Sequence, residues 1–218
     1  MAQKIDEVVA VVESPREARR RLRIDTARTQ ILDAAERTFA ATGFHDTTMK
    51  SIAEQCEIAV GTMYTLFEDK NALFEAVLRR RGAVLRQLTE AKAAEPGRGN
   101  TRLVELAELQ IRFFRDHPDW TRLASMLMTG SRGDPAAGNM SRLYQSGHEV
   151  VADIHAEVIA RGQRERTIRP GAPSALAQIF MGMLENFHGL DIADDSDGDF
   201  TVDEFLDLVR ATFDAPGH

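Results

Sequence analysis

The stretch TTMKSIAEQCEIAVGTMYTLFEDK, from Thr47 to Lys70, decides the fold of this chain. Apolar side chains recur at helical spacing in both of its halves: Ile52, Ala53 and Cys56 in the first, and Met63, Leu66 and Phe67 in the second. A threonine just before the first half supplies the hydroxyl that an N-cap position favours. Two short helices joined by a tight turn form the helix-turn-helix pattern, whose second helix enters the major groove of DNA. The same pattern also fits an ordinary helical hairpin with one polar face.

The side chains left on the outside of this unit suit DNA contact. Hydroxyls can bond phosphates or base edges, lysines can pair with phosphates, and valine can touch a thymine methyl group. A glycine leaves no side chain to hold the backbone away from DNA. The predicted DNA-binding residues are Thr48, Lys50, Val60, Gly61, Thr62, Tyr64, Thr65 and Lys70.

The longer run ILDAAERTFAATGFHDTTMKSIAEQCEIAVGTMYTLFEDKNALFEAV, from Ile31 to Val77, resembles the DNA-binding domain of the TetR/AcrR family of bacterial regulators. Four features carry the resemblance: the IxDAAxxxFAxxGF opening, TTMKSIA, GTMYxxFxxK and ALFEAV. It implies an all-α protein with a three-helix head and a helical-bundle body that binds an effector and forms dimers. The implied function is a sequence-specific transcriptional regulator, a repressor that a ligand releases from DNA.

Three positions in the turn depart from the family pattern. Members usually carry serine and then a basic or polar residue where this chain has Ala59 and Val60. An alanine N-cap loses about 1 kcal/mol of helix stability. Glu57 replaces the usual glycine, so we expect a strained turn and a negative charge near the phosphates. The alternative function is therefore a helical ligand-binding or partner-binding protein with a degenerate head.

Charge is divided unevenly along the chain, although the whole carries a net charge of −7. Residues 16–81 contain 12 Lys/Arg and 10 Asp/Glu, whereas residues 82–218 contain 14 and 21. A basic end joined to an acidic remainder is typical of a small DNA-binding head on a larger body. The predicted division is an N-terminal extension over 1–23, a head over 24–81 and an effector-binding and dimerisation body over 82–218.

The N-terminal extension carries a cluster of arginines at positions 19, 20, 21 and 23. Ser14, Pro15 and Glu17 are typical of a helix start, and the first helix of the head is expected over about 25–42, ending at Gly43. A basic arm before a helix-turn-helix can contact the minor groove or the DNA backbone. A solvated charged leader is the other interpretation.

Helical periodicity continues through the body. Helices are expected over about 70–94, 101–116, 118–129, 139–161, 174–190 and 201–213, with a loop over 130–138. The last two helices are apolar on more than one face and therefore need a second partner. In the family that this chain resembles, these two helices form a four-helix bundle in a homodimer. Paired heads would then meet the half-sites of a pseudo-palindromic double-stranded operator.

The resemblance also implies a ligand pocket in the body. Methionine and aromatic side chains suit an adaptable apolar cavity, which favours a small lipophilic effector. The predicted ligand-binding residues are Phe114, Trp120, Met126, His148, His155, Met183 and Phe187. Each of them is also compatible with a plain core position.

Several other classes of protein lack support in the sequence. It contains no nucleophile motif, phosphate loop or metal-spaced cluster, so we expect no enzyme, cofactor or metal site. The stretch from Ala193 to Glu204 resembles a calcium loop, but its first ligand position is alanine. No apolar run reaches the length of a membrane span and no secretory leader is present, so a cytoplasmic protein is expected.

Overall fold

The computed structural model describes residues 14–129, 135–192 and 200–216, and the helices in these ranges build an all-α protein, as predicted. The helices are α1 (Pro15–Asp46), α2 (Met49–Gln55), α3 (Val60–Leu66), α4 (Lys70–Ala94), α5 (Gly99–Asp116), α6 (Pro118–Thr129), α7 (Pro135–Arg164), α8 (Pro173–Ile192) and α9 (Val202–Phe213). None of the described helices is long and apolar enough to cross a bilayer.

Local capping sequences fix where several helices begin. Ser14 and Glu17 form a capping box at the start of α1, and Thr201 and Glu204 form one at the start of α9. The Asp69 side chain accepts the Ala72 amide hydrogen bond at the start of α4. These caps satisfy amide groups that have no partner inside the helix, so they were readable from the sequence.

Two predicted boundaries were wrong. Helix α1 begins at Pro15 rather than near residue 25, because the Ser14 capping box starts a helix that runs without interruption into the head. Helix α7 begins at Pro135, inside the predicted loop over 130–138. Proline is well suited to a first helical position, where its missing amide costs nothing. The calcium-loop positions Asp195, Asp197 and Asp199 lie outside the described residues.

The head is held by a small core between α1, α2, α3 and α4. Gly43 adopts a φ of 78°, which a glycine tolerates without strain, and turns the end of α1 so that Phe44 folds back. The Phe44 ring stacks on Phe39 at 5.9 Å and meets Phe74 of α4 edge-on at 5.2 Å. This aromatic cluster positions the start of α4 against the helix-turn-helix.

A second core fills the body between α5, α7, α8 and α9. Phe180, Phe205 and Phe213 are buried there among aliphatic side chains. Helix α6 instead packs on α1, with Trp120 and Leu123 in the same continuous core as the head. The head and the body are therefore joined by packing as well as by the length of α4.

Candidate DNA interface and ligand cavity

The helix-turn-helix consists of α2 and α3 with the turn 56–59 between them. Thr48 caps α2, since its hydroxyl accepts the Ser51 amide hydrogen bond at 3.0 Å. Met63 is fully buried and Phe67 nearly so, and together they anchor α3 against the head core. The opposite face of α3 is left open to solvent.

That open face carries four of the eight predicted DNA-binding residues. Thr62 and Tyr64 are exposed, and a methyl group added at Gly61 would meet no atom within 4 Å. The Thr65 hydroxyl is bonded to the Gly61 carbonyl at 2.9 Å. Val60 differs from these residues, because it is half-buried and packs partly against the head core.

The two predicted residues of α2 lie beside this face. Thr48 is exposed while it caps the helix, and Lys50 is exposed with only a 3.7 Å ion pair to Glu54. An exposed pair of this kind contributes little and is readily exchanged for a phosphate contact. Both side chains are available to a DNA backbone.

The turn before α3 is strained in the way the sequence predicts. Glu57 has a φ of 55°, a left-handed conformation that favours glycine over residues with a Cβ atom. Ala59 occupies the N-cap of α3 and provides no side-chain hydrogen bond. Two locally destabilising positions, Glu57 and Ala59, therefore lie directly before the helix that is expected to contact the bases.

Lys70 requires a correction. Its ammonium group donates to the carbonyls of Phe44, His45 and Thr47 at 2.7, 3.1 and 2.8 Å. It also lies 4.4 Å from the centre of the Phe44 ring. Since an ammonium group has three donors, Lys70 fastens the end of α1 to the start of α4 and has none left for a phosphate.

The N-terminal half of α1 projects beyond the head. Between Pro15 and Gln30 its side chains are exposed or at most half-buried, and the first buried residue is Ile31. Arg28 fastens the projecting part to α3, because its guanidinium donates to the Leu66 carbonyl at 3.3 Å and lies 4.5 Å from the Phe67 ring centre. From Pro15 onward, the predicted basic arm is thus helical, and it starts at the capping box that the sequence indicates.

A buried carboxylate joins α1 to the middle of α4. Glu36 is only 3% exposed and pairs with Arg80 at 3.0 Å and Arg81 at 2.8 Å. Arg80 also pairs with Asp33 at 2.8 Å. These bonds prevent α1 and α4 from sliding past each other without leaving a buried charge unpaired.

The body contains a cavity of about 380 Å³ between α4, α5, α6, α7 and α8. Its wall is mainly apolar, with Phe114, Trp120 and Met181 among the lining residues. The polar part of the wall includes the hydrogen bond between the His148 ring and the Glu185 carboxylate. Burial, reinforced by the charge of Glu185, raises the pKa of the Tyr144 hydroxyl, so Tyr144 stays neutral.

Three of the seven predicted ligand-binding residues line this cavity: Phe114, Trp120 and His148. The other four lie elsewhere. Met126 is 41% exposed on α6, while Met183 and Phe187 pack in or against the core between α8 and α9. His155 is fully buried and hydrogen-bonds Gln110 at 2.6 Å, and burial lowers its pKa to about 3, so it is a neutral core histidine.

Helix α4 contributes a whole wall of the cavity, which the sequence prediction missed. The α4 residues that line it are Leu78, Arg79, Gly82, Ala83, Leu85 and Arg86. The available signal was Gly82, a residue that costs helix stability in the middle of a long helix and leaves space beside it. Helix α4 therefore contacts the head through Arg80 and Arg81 and the cavity through the neighbouring positions.

Comparison with known proteins agrees with this architecture. Residues 31–77 match the family described as bacterial regulatory proteins, tetR family. The HTH-type transcriptional regulator UidR of Escherichia coli is 25% identical over 171 residues, which cover 76% of this chain and 84% of UidR.

Solved structures share the fold at lower sequence identity. The transcriptional regulator FadR from Bacillus subtilis, solved with stearoyl-CoA, superposes with a TM-score of 0.71 and 18% identity over 84% of this chain and 97% of that chain. A protein from Saccharomonospora viridis, solved with choline, superposes with a TM-score of 0.73 and 21% identity, covering 87% of this chain and 98% of that chain.

Replacing Glu57 by glycine should stabilise the protein by about 1 kcal/mol, because the left-handed turn then needs no strained residue. It should also tighten DNA binding by removing a negative charge near the phosphates. Glu57→Gln is the matched control, since it removes the charge and keeps the strain. Chemical denaturation and DNA titration separate the two effects; equal stability of the Gly and Gln variants would contradict the strain assignment.

Lys70→Met should lower the free energy of unfolding by about 2 kcal/mol, since three carbonyls lose a charged donor. The salt dependence of DNA binding should not change. The control Lys50→Met should leave stability unchanged and reduce the slope of log K against log salt by about 0.9 for each phosphate that is no longer neutralised. Measuring both quantities for both variants checks the reassignment, which fails if Lys70→Met lowers the slope as Lys50→Met does.

Proposed function

We propose that the chain is a transcriptional regulator of the TetR family, a repressor that a small lipophilic molecule releases from DNA. The observation that carries the proposal is the double role of α4. One set of its side chains holds the head and the adjacent set lines the cavity. A molecule that fills the cavity must press on the helix that sets the position of the head.

The DNA part of the proposal rests on the exposed face of α3. Thr62 and Tyr64 can reach base edges, and Gly61 allows the helix backbone to approach the groove. Thr48 and Lys50 of α2 can hold the phosphates that fix the register. Thr65 supports this face through its bond to Gly61, and Val60 has an apolar edge suited to a thymine methyl group.

The effector part of the proposal rests on the cavity wall. A volume of about 380 Å³ lies in the range of small-molecule sites, and the aromatic side chains Phe114 and Trp120 favour an apolar ligand. FadR from Bacillus subtilis was solved with stearoyl-CoA and the Saccharomonospora viridis protein with choline, so both kinds of ligand belong in a first screen. The proposal includes no catalytic step.

Regulation requires that the ligand distinguish two positions of the head. A ligand with equal affinity for both positions shifts nothing, however tightly it binds. The ion pairs of Glu36 make α1 follow α4, so a displacement of α4 at Gly82 or Ala83 is carried to the helix-turn-helix. In a dimer this displacement changes the spacing between two recognition helices.

The dimer itself is proposed from apolar side chains that remain on the surface. Ile179 and Leu190 lie on one side of α8 and are 51% and 54% exposed, and Leu208 of α9 is 47% exposed. Exposed apolar side chains on the two final helices fit a face that a second copy covers.

A gel shift with DNA flanking the gene for this protein tests the proposed function directly. A saturable shift that resists non-specific competitor is expected, and addition of an effector should abolish it. The chain has a single tryptophan, Trp120, in the cavity wall, so effector binding should also change its fluorescence without any DNA present. Absence of any saturable shift at low salt favours the degenerate-head alternative.

The double variant Ile179→Lys and Leu208→Lys should be monomeric, because two charges per subunit would have to be buried in the interface. Operator affinity should then fall at least about tenfold, since one head can no longer assist the other. Sedimentation velocity checks the mass and a gel shift checks the affinity. Glu149→Lys, an exposed position on α7, controls for added charge; a double variant that remains dimeric contradicts the assigned face.

A further inference from the structure

The projecting half of α1 carries a stripe of arginines. Arg16, Arg19, Arg20 and Arg23 follow the spacing i, i+3, i+4 and i+7, which places them on one face of the helix. All four are exposed, and none has an ion pair with any residue in the described ranges. We call these four residues the arginine stripe.

The arginine stripe destabilises the N-terminal half of α1 when no anionic partner is bound. Arg16 lies in the first turn of α1, where a cation opposes the helix dipole, while Glu17 in the same turn is favourable. The like-charged pairs Arg16–Arg20 and Arg19–Arg23 at i, i+4 spacing also repel each other. No residue of this half before Ile31 is buried, and its support comes from the Ser14 capping box, the Arg28 contacts with Leu66 and Phe67, and intrinsic helix propensity. An anionic partner would relieve the repulsion between these arginines.

The charge balance of the head indicates that this anionic partner is DNA. Residues 24–81 contain seven Lys/Arg and nine Asp/Glu, so this region alone is net negative. Three of its seven cations, Lys70, Arg80 and Arg81, are already occupied by carbonyls or by Glu36. Attraction of the head to a phosphate backbone therefore needs the arginines that precede residue 24.

The position of the stripe is compatible with that role. Arg28 fastens α1 to Leu66, the last residue of α3. At about 1.5 Å per residue, the stripe lies about 8 to 18 Å further along the helix axis and spans about 10 Å. That span equals the rise of about three nucleotides along one DNA strand.

We propose that the arginine stripe is a second DNA-binding surface, which holds the phosphate backbone flanking the groove that α3 enters. It supplies affinity and register independent of base sequence and lengthens the operator beyond the base pairs that α3 reads. This inference rests on the proposed function, because it needs an operator complex in which α3 occupies the groove.

The test removes the four charges and measures the salt dependence of operator binding. The variant Arg16→Gln, Arg19→Gln, Arg20→Gln and Arg23→Gln keeps helix propensity, and relief of repulsion protects its folding. At physiological salt its affinity should fall at least about tenfold, and the slope of log K against log salt should fall by about 0.9 for each phosphate that the stripe neutralises in the wild type.

Two matched variants separate local contact from total charge. Replacing four exposed arginines of the body by glutamine, Arg98, Arg112, Arg122 and Arg164, makes the same change in net charge and should leave the slope nearly unchanged. Replacing the stripe by four lysines keeps the charge and should restore the slope of the wild type. An equal loss in the body variant overturns the inference, since net charge alone would then explain the effect.

Operator length provides an independent readout. Trimming about ten base pairs from each flank of the duplex identified by gel shift should weaken the wild-type protein and leave the glutamine variant unaffected. If the wild-type protein still forms the complex, two results contradict a DNA-binding role of the arginine stripe. One is an equal effect of trimming on both proteins, and the other is an unchanged salt slope in the glutamine variant. A wild-type protein that forms no saturable complex overturns the proposed function itself.

Discussion

One buried carboxylate ties the first helix of the head to the middle of α4. Glu36 of α1 is nearly inaccessible to water and is held by Arg80 and Arg81 of α4. Sliding α1 along α4 would strand that charge, and an unpaired buried charge costs several kcal/mol. At the other end of the interface, Lys70 binds three carbonyls near the end of α1. The head and the first turns of α4 therefore behave as one rigid body.

The proposed regulation depends on this rigidity. Around the turn that contains Arg80 and Arg81, α4 presents Arg79, Gly82 and Ala83 to the cavity. In the proposed function, a molecule in the cavity displaces these residues together with the head. A softer joint would absorb the displacement locally, and the free energy of ligand binding would not reach the DNA.

Features set by neighbouring residues were predictable from the sequence, whereas features set by packing were not. The Thr201–Glu204 cap and the left-handed Gly43 depend on a few adjacent residues, and the structure confirms both. The role of Lys70 depends on where a long side chain ends in space, 23 to 26 residues from its acceptors in sequence. Likewise, Phe187 is an aromatic residue of the kind that lines pockets, but its ring centre lies 4.5 Å from that of Phe205 in α9. The periodicity within α8 cannot reveal this contact.

The division of charge also limits how DNA can approach. The acidic residues of the segment 82–218 outnumber its basic residues by seven, so the body repels a phosphate backbone and discourages non-specific binding. The net-negative region 24–81 adds little attraction of its own. In the proposed complex, the positive charge on the projecting half of α1 orients the head toward DNA. In this proposal the arginine stripe supplies the attraction to the DNA backbone, which is independent of sequence. The contacts of α3 with the bases then decide which sequences are bound tightly.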